Sequence, residues 1–105
     1  MERFITIDNI LAEKYGIEAA LIYAIIKNEL NACIQLQMNK YDGRYWIRKP
    51  QADICAQFPY IKPRAVSSAL TRLKAAGLLV EARFNEDPFD QTKWYSITDY
   101  DERSI

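Results

Sequence analysis

Residues 50–79 read PQADICAQFPYIKPRAVSSALTRLKAAGLL, and this stretch decides the architecture. Pro50 suits the first turn of a helix, where its missing N–H costs nothing, and Asp53 lies near the positive end of that helix dipole. Ile54 and Phe58 form the apolar side of this short helix, and Pro59 stops it at Phe58. Pro63 opens a second helix in which Val66, Ala69, Leu70, Leu73 and Ala76 fall on one stripe, ended by Gly77. A turn of about four or five residues joins the pair, the layout of a helix-turn-helix. At about 100° per residue, Val66, Leu70 and Leu73 point inward and Arg64, Ser68, Thr71 and Ala75 outward. Ser67 edges that outer face on one side and Arg72 on the other, so it is basic and mostly short-chained.

Downstream, Leu78 to Phe84 and Lys93 to Thr98 are strand-like runs, separated by a polar segment with Pro88, and they read as the arms of a hairpin. Upstream, Asp42-Gly43 is a turn signal, and Arg44-Tyr45-Trp46-Ile47-Arg48 alternates apolar with basic residues like one short strand. From Ile17 to about Met38 an apolar periodicity predicts a long helix. Its first half, Ala19 to Ile26, is apolar nearly all round, which predicts burial on more than one side. Asp8 is placed to cap a brief helix through Tyr15, with Gly16 as its stop, and Phe4-Ile5-Thr6-Ile7 reads as a strand. The expectation is one domain over 1–105, mainly α with a small antiparallel β-sheet, with a core at 42–98 and the segment 4–38 packed on it.

Composition excludes most chemistry. The 105 residues contain no histidine, removing the usual general base near neutral pH and the commonest metal ligand. Cys33 and Cys55 lack metal-site spacing and are expected as reduced thiols, one inside each of two helices. The three glycines are scattered and form no phosphate loop, and Glu86, Asp87 and Asp90 read as a solvated loop tip. No enzyme, cofactor or metal is expected. No apolar run approaches the roughly 20 residues of a membrane span, so no membrane partner is expected and the cytoplasm is the expected address. Fourteen basic and fourteen acidic side chains cancel, but they are not mixed. Residues 1–42, 43–80 and 81–105 carry −2, +6 and −4, so the basic surplus sits on the helix pair and its approach.

The ordered set Asp42-Gly43-x-x-Trp46-Ile47, the helix pair, and Leu73-x-x-x-Gly77-Leu78-Leu79 entering a hairpin resembles the winged helix-turn-helix family. Asp90-x-Thr92-x-Trp94-Tyr95-x-Ile97 is similar to the second wing strand of DNA-binding domains in phage and plasmid replication initiators and replisome organisers. The resemblance implies sequence-specific binding of double-stranded DNA, for replication initiation or transcription regulation, in a bacterial or phage-infected cell. It places Lys62, Arg64, Ser67, Ser68, Thr71 and Arg72 on or beside the recognition helix, with Arg44, Arg48 and Lys49 reaching flanking phosphates. The wing tip departs from the pattern, since its three acids repel phosphate, leaving wing contacts to Arg83 and Lys93, with Phe89 as an exposed contact. Trp46, Trp94, Tyr95 and Phe84 are expected as packing bulk rather than stacking platforms. The alternative is a protein-interaction module, such as an adaptor or inhibitor engaging a host or replisome protein through the acidic wing and C-terminal tail. The apolar long helix and the N-terminal strand also offer surfaces for a homodimer.

Overall fold

The structure, a computed structural model, describes residues 5–98. Asp8 starts the first helix, its carboxylate accepting the Ile10 N–H at 2.8 Å and the Leu11 N–H at 3.4 Å. Such a cap contributes about 0.5–2 kcal/mol. This helix, α1 (Asn9–Tyr15), ends at Gly16, whose φ of 98° lets the chain turn straight into α2 (Ile17–Leu36). The sides of α2 that face protein are apolar: Ala19, Ile22, Ile26 and Leu30 are fully buried. The helix packs against α1, against the sheet and against the second helix of the helix-turn-helix.

Past α2, β1 (Lys40–Tyr41) and β2 (Arg44–Tyr45) pair antiparallel through Asp42 and Gly43. Both turn residues have positive φ, 55° and 75°, as a tight two-residue hairpin turn requires. β3 (Ile47–Arg48) leads to α3 (Gln51–Gln57), residues 58–62 form the turn, and α4 (Pro63–Ala75) follows. β4 (Leu79–Ala82) and β5 (Trp94–Ile97) are the hairpin arms, and the order β3-β5-β4 makes a three-stranded antiparallel sheet. Leu79 pairs with Ile97 and Ile47 with Tyr95. Val66, Ala69, Leu70 and Leu73 of α4 meet Ile54 and Phe58 of α3 and the buried side of α2 in one core, which Tyr95 and Ile97 close from the sheet. Ser96 is buried among them, and its hydroxyl donates to the Tyr45 carbonyl at 2.7 Å, so no polar cost remains there.

Three expectations are corrected. Ile5 to Ile7 form no strand, because a short strand-like run makes a ladder only where a sheet edge pairs with it; Phe4 lies outside the described residues. The run 44–48 is two strands, broken at Trp46, whose N–H donates to the Asn39 carbonyl and whose indole N–H donates to the Tyr41 carbonyl. Ala76 is exposed and not part of the inward stripe, since α4 ends at Ala75 and Leu79 takes up the packing beyond it.

Leu73 is fully buried, so Leu73→Ala is expected to cost about 2–5 kcal/mol in urea denaturation. Ser68→Ala and Thr71→Ala, on the exposed side, should stay within about 0.5 kcal/mol of the parent. A parent-like midpoint for Leu73→Ala would contradict the helix phase.

Candidate nucleic-acid interface

Burial of the Val66–Leu73 stripe leaves the other side of α4 to solvent. Arg64, Ser67, Ser68 and Thr71 are all exposed there, and Lys62 is exposed at the helix entry. Pro63 at the first helical position gives the helix a clean start with its amino end open to solvent. Lys62, Arg64 and Ser68 share a hollow with Arg72 and with Glu18 from the first turn of α2. The residues of α4 and its entry that the resemblance nominates are thus brought together on one surface.

Arg72 is there but half-buried and engaged. Its Nε donates to the Tyr15 carbonyl at 2.9 Å, and its Nη1 donates to Ser68 Oγ at 2.8 Å. The Tyr15 carbonyl lies in the last turn of α1, where the helix dipole favours a cation. A Cβ added at Gly16 would stand 3.4 Å from Arg72 Nη2, so this glycine also lets the guanidinium lie close over the α1–α2 joint.

The three cations before α3, which the resemblance assigns to flanking phosphates, all have partners within the chain. Arg44 Nη1 donates to the Ile97 carbonyl at 3.1 Å, fastening the small hairpin to β5. Lys49 pairs with Glu29 of α2 at 2.7 Å, with its side chain only 12% exposed. Arg48 donates to Asp90 at 2.9 Å and to Thr92 at 3.2 Å. Each has a partner within the chain, and of the three only Arg48 is exposed.

The wing loop is ordered by its own side chains. Asn85 donates to the carbonyls of Asp90 and Thr92 and accepts the Trp94 indole N–H at 2.7 Å. Asp90 turns inward. Hydrogen bonds from the Thr92 side chain and backbone, joined by the Arg48 guanidinium, hold its carboxyl down at about 2. The acidic tip therefore presents Glu86 and Asp87 rather than three free carboxylates. No ion pair among the described residues reaches either of them. Arg83 is exposed, Lys93 lies 3.7 Å from Glu81, and Phe89 is 88% exposed. Tyr41 stacks on Phe84 at 4.7 Å, while Trp46 and Trp94 meet Phe84 edge-on, so these rings pack on one another. Among the described residues no cluster of His, Cys, Asp or Glu could hold a metal ion. No helix there is long and apolar enough to cross a membrane.

No protein-family model matches the chain, and no curated protein matches it. Two solved structures do. A structure described as the N-terminal domain of a DNA binding protein superposes with a TM-score of 0.67 at 18% identity, over 91% of this chain and 74% of that one. A structure described as a Rep–DNA complex superposes with a TM-score of 0.64 at 18% identity, over 91% of this chain and 75% of that one. The fold is a winged helix-turn-helix. In it α3 and α4 are the helix pair and the β4–β5 hairpin is the wing.

The lowered Asp90 pKa sets a pH expectation for the winged helix. A carboxyl whose folded value lies near 2, below the ordinary value of about 3.9, stabilises the wing above that ordinary value and loses its contribution as pH falls through about 2. Asp90→Asn should therefore melt below the parent at neutral pH and converge with it at about pH 2. Melting differences that do not change between neutral and acid pH would contradict the Arg48–Asp90–Thr92 arrangement.

Proposed function

We propose that this winged helix binds double-stranded DNA sequence-specifically through the outer face of α4, in phage or plasmid replication initiation or in transcription regulation. The observation that carries the reading is the joint exposure of Lys62, Arg64, Ser67, Ser68 and Thr71 on one side of α4. Small hydroxyl side chains let the helix backbone approach the floor of a major groove, while the cations meet phosphate or guanine. The likeness in fold to a DNA binding protein and to a Rep protein in complex with DNA supports it. The role is binding rather than catalysis, and the setting is the cytoplasm of a bacterial or phage-infected cell, with a second copy or a replisome protein as further partners.

The wing supports a second reading, an adaptor for a host protein. Glu86 and Asp87 are exposed beside Phe89, a surface suited to a protein partner and unsuited to phosphate.

Anisotropy titrations on specific and scrambled duplexes at two salt concentrations test the DNA reading. Lys62→Ala should weaken all sequences alike and reduce the magnitude of the log affinity against log salt slope by about 0.9. Arg64→Ala should also relax preference at one base pair, at about 1–3 kcal/mol, if its guanidinium takes guanine. Absence of duplex binding at low salt, together with capture of a protein partner that Glu86→Gln/Asp87→Asn abolishes, would favour the second reading.

A further inference from the structure

The two hydroxyls at the centre of the outer face have opposite hydrogen-bond polarity. Ser68 Oγ accepts from Arg72 Nη1 at 2.8 Å, and that guanidinium is itself held by the Tyr15 carbonyl at 2.9 Å. Arginine cannot accept, so the Ser68 hydroxyl proton remains directed away from it, toward solvent. Thr71 is the converse: its Oγ1 donates to the Ser67 carbonyl of the preceding turn at 3.0 Å. A hydroxyl has one proton, so what Thr71 offers outward is a lone pair and its methyl group.

Resting on the DNA reading proposed above, we infer that Ser68 and Thr71 form a donor–acceptor pair in which Ser68 meets an acceptor and Thr71 reads the exocyclic amine of adenine or cytosine. Phosphate oxygens accept only, so an acceptor-presenting Thr71 has no bond to make with the DNA backbone. In the major groove, hydrogen-bond donors are confined to adenine N6 and cytosine N4. Ser68 has the wider set: phosphate, guanine O6 and N7, adenine N7 and thymine O4 all accept. Thr71 is thereby a specificity residue, although it carries no charge. Arg72, whose position suggests a base reader, instead holds the Ser68 hydroxyl in orientation.

The test uses the full chain and a duplex chosen by selection from a randomised pool. Each base pair of that site is then permuted, and the parent is compared with Thr71→Val, which keeps the shape and methyl group but removes the oxygen, and with Thr71→Ser, which keeps it. Thr71→Val should bind the selected duplex roughly 2- to 12-fold more weakly, with discrimination lost at one pair holding adenine or cytosine. Its salt slope should be unchanged. Thr71→Ser should restore the preference. Replacing that base by its analogue without the exocyclic amine should weaken the parent equally and leave Thr71→Val unaffected. Thermal melting of both variants at the parent temperature confirms that the helix is intact.

A Thr71→Val protein with the parent's base preferences overturns the inference while leaving DNA binding standing. A uniform loss on all duplexes with a shallower salt slope does the same, because it marks a backbone contact. Failure of the parent to bind any duplex at low salt overturns the DNA reading, and this inference with it.

Discussion

Burial of the Val66–Ala69–Leu70–Leu73 stripe of α4 against α2 is the constraint from which the rest of the surface follows. A helix with four buried positions at spacings of three and four has only one rotation that keeps them all from water. That rotation turns Arg64, Ser67, Ser68 and Thr71 outward together. α2 can accept the stripe because it is itself buried on several sides, with α1, α4 and the sheet packed around it. The wing sheet then closes the same core through Tyr95 and Ile97.

Net charge says little about such a surface, since position and pairing decide what a ligand meets. Five cations of the basic middle segment are engaged internally: Arg44 on the Ile97 carbonyl, Lys49 on Glu29, Arg48 on Asp90, Arg72 on the Tyr15 carbonyl and Lys74 on Glu81. Lys62 and Arg64 remain at the front of α4. The acidic wing is likewise reduced by the inward turn of Asp90. An exposed ion pair such as Arg48–Asp90 contributes about 0–1 kcal/mol, so the larger consequence of these contacts is which charges they leave exposed.

Periodicity and turn chemistry were legible along the chain. The Asp8 cap, the Gly16 stop, the α3–α4 pair, the short turn between them and the two wing strands all rest on neighbours within a few positions, and all stand in the structure. Side-chain engagement was not legible, because the partners are remote: Arg72 reaches back 57 positions to Tyr15, and Arg44 reaches 53 forward to Ile97. The spacing of Ser68 and Arg72, four positions apart on one helix, was a usable local signal for their contact. Thr71 bonding back to Ser67 follows from the known habit of helical threonine. The expected N-terminal strand is not found over Ile5 to Ile7, since a short apolar run becomes a strand only where a sheet edge pairs with it.

Amide chemical-shift mapping with a saturating DNA duplex tests the central claim most directly, because it reads which face of the winged helix meets DNA residue by residue. The largest changes should fall on Arg64, Ser67, Ser68 and Thr71, with Glu86 and Asp87 little moved. Changes confined to the wing tip, or an unperturbed α4 at saturating duplex, would contradict the account.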